Sequence, residues 1–154
     1  MERGKRSPAI VLDNTNRPYM QIISQAFDDW SQSHGRVALK YSIDESNLGA
    51  VDASLAAMRE RGVDAIYACS DELALVLLQR AQRIGLDIPG DLAIVSAVDS
   101  LAMTLTTPPV SAIELLPELA GDTAMRILVN ILEHGQADES TCILPATLTQ
   151  RASS

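Results

Sequence analysis

Polar side chains that could bind a small molecule recur where the short apolar runs of this chain end. Asp13 and Asn14 follow the first run, Ser70 and Asp71 a later one, and Asp99 the next. Carboxylates, amides and hydroxyls orient a polar ligand, whereas bond breaking needs a nucleophile beside a base. The pattern therefore predicts a binding site. The other predicted ligand-binding residues are Arg17, Gln21, Tyr41 and Ile43.

Patterns typical of catalysis or metal binding are missing from the sequence, which has no Gly-rich phosphate loop and no Gly-x-Ser-x-Gly elbow. Cys69 ends an apolar run, but we expect no histidine beside it to act as a base, and we interpret it as a packing residue. His34 and His134 each precede a glycine at a predicted helix end, where an imidazole interacts favourably with the helix dipole. We therefore expect no enzymatic activity, no cofactor and no metal.

The composition limits the partners of the chain. Its 154 residues carry 12 Lys+Arg and 20 Asp+Glu, so the formal net charge is −8, which repels nucleic acid. No apolar run approaches the roughly 20 residues of a membrane helix, and we expect no membrane partner. Two cysteines without metal-type spacing are typical of thiols in a reducing compartment, and we expect a cytoplasmic location.

Apolar runs and helical patterns alternate along the chain and predict an α/β fold: a parallel sheet with helices on both faces. The carboxyl ends of parallel strands share one edge of the sheet, where such folds bind ligands, and this edge brings the polar residues together. The first helix is expected to bury one stripe made of Tyr19, Ile22, Ile23, Ala26, Phe27 and Trp30. Strands are predicted at 9–12, 37–41, 64–69, 92–96 and 110–113, helices at 18–34, 48–61, 70–84 and 117–133, and a closing extended segment at 142–151.

Several motifs in order resemble the effector-binding domain of lactose-repressor-type (LacI/GalR) transcriptional regulators. Residues 64–75 read DAIYACSDELAL, and residues 83–95 read RIGLDIPGDLAIV. Residues 105–109 (LTTPP) are similar to the Leu-Thr-x-Pro loop of that family, and residues 116–132 to its Leu-Gly-x-x-Ala helix. Residues 144–153 (LPATLTQRAS) resemble its Pro-x-x-Leu-x-x-Arg-x-Ser ending. The resemblance covers nearly the whole chain.

The resemblance implies a periplasmic-binding-protein-like (type I) fold, in which two subdomains close on a small, sugar-like effector. It also implies that the protein is a homodimer. Operator DNA would be bound only by an N-terminal headpiece, and nothing in these residues resembles that headpiece. A carrier protein of the same fold, serving a transporter, is the alternative; an upstream signal peptide would favour it. The third predicted helix carries leucines that face either a partner subunit or the chain's own core. The predicted interface residues are Leu73, Leu77, Leu78 and Leu101.

The family topology implies a division of the chain. Residues 1–107, completed by 140–154, correspond to the C-terminal effector-binding subdomain. Residues 110–135, a strand and a helix, correspond to a segment that in the family belongs to the first subdomain. Nothing in the other residues resembles the rest of that subdomain. We expect this segment to pack non-natively, to exchange with a second chain or to be poorly ordered.

The chain departs from the family at the effector site. Where the family has Gly-aromatic-Asp-Asp, residues 96–99 read SAVD, so either Val98 or, with a short gap, Asp99 takes the position of the effector-binding acid. The arginine of the first helix has no clear match, because Arg17 lies early and Gln21 and Gln25 occupy the relevant turns. A sugar site favours an aromatic face and a hydrogen-bonding acid, and both are weakened here.

Overall fold

A computed structural model describes residues 4–15, 17–135 and 141–154 of the chain. Residues 1–3, 16 and 136–140 lie outside the described part. The predicted C-terminal subdomain, residues 1–107 completed by 140–154, therefore has its first three residues, residue 16 and residue 140 outside the described part.

Strands and helices alternate along the described residues, as the apolar periodicity predicts. Ser70 begins α3 by accepting a hydrogen bond on its Oγ from the backbone nitrogen of Leu73 (3.2 Å), which satisfies a free donor of the first turn. Gly85 follows the end of the same helix with a positive φ of 83°, a conformation that glycine adopts without strain. The elements are β1 (Pro8–Asp13), α1 (Pro18–Ser33), β2 (Leu39–Ile43), α2 (Leu48–Glu60), β3 (Ala65–Ala68), α3 (Asp71–Arg83), β4 (Ala93–Ser96), α4 (Leu101–Leu105), β5 (Ser111–Glu114), α5 (Pro117–His134) and β6 (Thr147–Thr149).

The strands form one sheet in the order β2-β1-β3-β4-β5-β6. Neighbours from β2 to β5 are parallel, so the predicted parallel α/β sheet is confirmed for five strands. The closing segment is shorter as a strand than predicted, and β6 runs antiparallel to β5. The sheet is therefore mixed, with one antiparallel edge.

Helices cover both faces of the sheet, because the chain reverses direction across it. It moves from β1 to β2 in one direction and from β2 through β3 to β4 in the other. Since parallel crossovers are right-handed, α1 lies on one face, and α2 and α3 lie on the other. The main core fills the second face, where Val51, Leu55, Leu73, Leu77 and Ile94 are buried.

Three local predictions were wrong. The stripe expected on α1 is not buried: Tyr19 is exposed, Ile22 is 71% exposed, and Met20 is the apolar residue of α1 that packs into the core. The second strand begins two residues later than predicted, at Leu39, because β2 pairs in register with β1 from Ala9↔Leu39 onward. The stretch between the predicted strands 92–96 and 110–113, where no helix was predicted, contains the short helix α4, whose Met103 is buried in the core.

The strand and the helix of the segment 110–135 differ in how they contact the body. β5 pairs with β4 through Val95↔Ser111 and Ser96↔Ala112, and Val110 and Ala112 are buried in the core. The apolar residues of α5 are largely in solvent. Along α5, whose residues are all described, Thr123 is the one buried side chain. An 18-residue amphipathic helix normally buries one face.

None of the helices in the described part of the chain is both long enough and apolar enough to span a bilayer.

Candidate functional site

Four parallel strands end side by side and form an edge at which most of the predicted ligand-binding residues meet. β2, β1, β3 and β4 are neighbours in that order, and each is followed by a polar turn. We call this edge the rim, and residues 97–100, which follow β4, the rim loop. Parallel α/β sheets bind ligands at such an edge, because loops there project side chains into a common space.

Asp13 anchors the rim at the end of β1. Its Oδ1 accepts hydrogen bonds from the backbone nitrogen (2.9 Å) and the hydroxyl (2.5 Å) of Thr15, and the residue is buried. Its backbone nitrogen donates to Sγ of Cys69 (3.2 Å) on the neighbouring strand end, and its carbonyl oxygen accepts from the hydroxyl of Ser42 (3.3 Å). The carboxylate therefore shapes the turn, and the backbone of Asp13 ties three strand ends together.

A groove opens beside Asp13, between α1 and the edge strand β2. Its volume is about 420 Å³, and Asn14 and Gln21 line it together with Asp13. An ion pair between Lys40 Nζ and Asp28 Oδ2 (2.6 Å) lies along the same groove. Amides and hydroxyls dominate the polar atoms of this groove, and such groups bind hydroxyl-rich ligands.

Arg17 supplies a positive charge at the rim. Nη1 of Arg17 donates to the hydroxyl of Tyr19 (3.4 Å), and this hydrogen bond raises the pKa of the guanidinium. The negative charges of Asp13 and Glu72 raise the same pKa further. Asp71 begins α3 and is half-buried. Since β1 pairs with β3 up to Val11↔Ala68, the residues at the two strand ends, Asp13 and Asn14 on one side and Ser70 and Asp71 on the other, lie at one region of the rim.

Tyr41 and Ile43, both predicted to bind the ligand, lie on the face of β2 that points away from this groove. Side chains alternate along a strand, and Lys40 and Ser42 take the face of β2 that lines the groove. Tyr41 and Ile43 therefore point to the α2 face, where Ile43 is 2% exposed and Tyr41 packs against the core. The Tyr41 hydroxyl is buried without a hydrogen-bond partner among the described residues.

Asp99 is engaged by an arginine that the sequence analysis did not assign to the site. Nη1 and Nη2 of Arg151 donate to the two carboxylate oxygens of Asp99 at 2.9 and 2.7 Å. The carboxylate is therefore neutralised within the chain. Val98, the alternative candidate for the effector position, lines a cavity of about 440 Å³ with Leu115 and Pro117. The Arg-x-Ser motif at 151–153 was the available signal, but it does not reveal which acid the arginine binds.

Three of the four predicted interface residues belong to the chain's own core. Leu73, Leu77 and Leu78 are buried against the sheet and α2, so they offer no surface to a partner. The sequence left open whether these leucines face a partner subunit or the chain's own core, and the structure places them in the core. The interface prediction for these three residues is therefore corrected. Leu101 instead lies at the start of α4 and is 75% exposed.

Cys69 has the surroundings of a packing residue. Burial raises the pKa of its thiol to about 11, and Asp13 Nα donates a hydrogen bond to it. A thiol held protonated is a poor nucleophile, since the thiolate is the reactive form. The described residues contain no group of three or more His, Cys, Asp or Glu side chains placed to hold a metal ion.

Comparisons with known proteins agree with this architecture. A family model described as a periplasmic binding protein-like domain matches residues 1–154. The lactose operon repressor of Rhizobium radiobacter is 37% identical over 90 residues, which are 58% of this chain and 79% of that protein.

Solved structures share the fold over nearly the full chain. A LacI family transcriptional regulator from Bifidobacterium animalis subsp. lactis is 23% identical, with a TM-score of 0.87, over 99% of this chain and 56% of that one. The transcriptional regulator CelR in complex with cellobiose is also 23% identical, with a TM-score of 0.82, over 99% of this chain and 48% of that one. This chain therefore spans about half the length of each of these structures.

Proposed function

Because the chain belongs to the periplasmic binding protein-like domain family, among regulators of the lactose-repressor type, we propose that it is the effector-binding and dimerisation region of a bacterial transcriptional regulator. The observation that carries the proposal is the rim, where Asp13 and Asn14 lie at the end of β1 and Ser70 and Asp71 follow the neighbouring strand β3. The ligand is a small, sugar-like effector, for which the amides and hydroxyls of the rim are suitable partners.

The mechanism we propose is a population shift. The effector binds between this subdomain and a second one, and it favours the closed arrangement because it contacts both. That arrangement sets the spacing of two DNA-reading headpieces in a dimer, and thereby operator affinity. The net charge of −8 repels DNA, which supports an operator contact made by residues other than these 154. We propose that the regulator acts in the cytoplasm.

The helix α5 supports the proposed division of the regulator. We assign residues 110–135 to the first subdomain, since α5 buries only Thr123 on this body. Its exposed apolar residues include Met125, Leu128 and Leu132, a face that a neighbouring subdomain would cover.

The effector proposal is tested by NMR titration of the isotope-labelled chain with glucose, galactose, lactose, maltose and cellobiose at millimolar concentration. We expect saturable shifts in the backbone amides of Asn14, Ser70 and Asp71 with at least one of these sugars. Asn14→Ala should weaken binding about fivefold to tenfold, the effect of one lost hydrogen bond. Gln32→Ala, which removes an exposed amide near the other end of α1, is the matched control and should leave affinity unchanged.

Two outcomes would overturn the sugar-effector proposal. One is that none of the five sugars shifts the rim amides. The other is that shifts cluster at the opposite edge of the sheet, around Met58 and Leu92, where a second cavity of about 330 Å³ opens.

We propose that the dimer forms through α4 and the adjoining surface of α3. Leu101 and Leu105 are each 75% exposed on α4, and such neighbouring leucines mark an association surface. Leu101→Glu is expected to convert the dimer to a monomer at micromolar concentration, measured by sedimentation or light scattering, because a buried unpaired charge opposes association.

The control for the dimer uses the same substitution at equal exposure. Leu132→Glu changes a leucine of α5 that is also 75% exposed, and it should leave the dimer intact. If Leu132→Glu dissociates the dimer and Leu101→Glu does not, the α4 interface is wrong. The dimer would then form by exchange of residues 110–135 between chains.

A further inference from the structure

Arg151 joins the rim loop to the strands that lead to and from α5. We call these strands, β5 and β6, the β5–β6 ribbon. Besides its two bonds to Asp99, Arg151 donates from Nη1 to the carbonyl oxygen of Val110 (2.7 Å), directly before the ribbon. Its backbone nitrogen donates to Oγ of Ser111 (2.8 Å), the first residue of β5.

Other bonds also hold the ribbon to the sheet, but they do not involve the rim loop. β5 pairs with β4 at two register positions, and Ser153 bonds to Ile94 of β4 and to Ser111 of β5. The backbone nitrogen of Asp99 donates to the carbonyl oxygen of Ile113 (2.9 Å), which adds a bond between the rim loop and the ribbon. Asp99 and Arg151 therefore occupy the junction at which a displacement of either segment reaches the other.

We propose that the Asp99–Arg151 ion pair is a strut that makes the rim loop and the β5–β6 ribbon move as one unit. Val98 precedes Asp99 in the rim loop, and the ribbon continues into α5. A ligand that displaces the rim loop thereby changes the orientation of α5 relative to the sheet. This effect of a ligand rests on the proposed function, whereas the strut itself does not.

The geometry explains why an arginine and an aspartate are needed. The planar guanidinium binds both carboxylate oxygens and one carbonyl at once, and it fixes the angle between the segments as well as their distance. The side chains of Arg151 and Asp99 are 17% and 18% exposed, so water competes weakly with this ion pair. A lysine keeps the charge but has no planar fork.

Hydrogen exchange of the ligand-free chain tests the strut. In Arg151→Lys, the backbone amides of the ribbon and of the rim loop should both exchange about tenfold faster, the effect of one lost charge-assisted hydrogen bond. Amides of β1 and β3 should keep their wild-type rates. Because no ligand is present, the result is independent of whether the effector proposal holds.

The control is the other partly buried arginine–aspartate pair, between Arg80 on α3 and Asp52 on α2, whose side chains are 15% and 35% exposed. Arg80→Lys should speed exchange in α2 and α3 and leave the ribbon unchanged. If both variants raised the exchange rates of the ribbon amides equally, Arg151 would contribute only to global stability. That result would overturn the proposal.

Coupling is measured with a milder change on the rim side. Asp99→Asn retains the shape of the residue and one acceptor oxygen, so it folds even if Arg151→Lys does not. It should accelerate ribbon exchange although it lies outside the ribbon. The double variant should exchange no faster than the more affected single variant. Additive effects, or a ribbon insensitive to Asp99→Asn, would refute the strut.

Discussion

Replacing Leu77 by alanine is expected to lower the free energy of unfolding by about 3 kcal/mol. Leu77 is fully buried between α3 and the sheet, so truncation removes buried apolar surface and leaves a cavity in a close-packed core. Urea unfolding followed by circular dichroism measures the change. The folded variant should associate as the wild type does, because the side chain offers no surface to a partner.

The matched control makes the same substitution at the surface. Leu101→Ala removes the same atoms from a residue that is 75% exposed, so it should change stability by no more than about 0.5 kcal/mol. It should weaken dimerisation instead. If Leu77→Ala dissociated the dimer at unchanged stability, Leu77 would face a partner subunit. The packing of Leu77 between α3 and the sheet would then be wrong.

Raising the pH from 9 to about 11 is expected to destabilise the chain by about 2 kcal/mol through Cys69. Burial raises the pKa of this thiol from 9.0 to about 11, so the folded state holds the proton more tightly than the unfolded chain does. The stabilisation is fully present below pH 9 and is lost as the pH rises through the folded-state value. Urea unfolding at a series of pH values measures the loss.

Cys69→Ser isolates the thiol from the other groups that titrate in this range. Serine does not ionise there, and its oxygen still accepts the hydrogen bond from the backbone nitrogen of Asp13. Tyr67, whose pKa burial also raises, remains in the variant and contributes alkaline destabilisation of its own. Identical pH dependence in the variant and the wild type would contradict a buried, protonated Cys69.

The alternation of strands and helices was predictable because local signals determine it. Apolar runs, the Ser70 N-cap and glycines after the helices place most elements within two or three residues of their observed bounds. The direction of β6 was not predictable from a short extended stretch, because it follows from pairing with β5. Likewise, α4 is too short for helical periodicity to identify it.

The candidate site was predicted less completely than the fold, since it depends on orientation and on distant contacts. Strand ends placed Asp13, Asn14 and Asp71 at the rim correctly. The faces of Tyr41 and Ile43 depend on which side of β2 packs against α2, and no local pattern in residues 39–43 shows that. The partner of Asp99 lies 52 residues away along the chain, a separation at which no local pattern carries information.

Ser153 has a consequence for the order of events during synthesis. Its hydroxyl donates to the carbonyl oxygen of Ile94 (2.6 Å) and accepts from the backbone nitrogen of Ser111 (2.9 Å), partners 59 and 42 residues earlier in the chain. A ribosome therefore exposes β1 to β4 and their helices well before the residue that closes the seam between β4 and β5. The first four strands have the time to assemble through nearby contacts, while the β4–β5 seam stays open to water and to neighbouring chains. Chaperone capture of nascent chains should accordingly concentrate on lengths between those that expose Ser111 and those that expose Ser153.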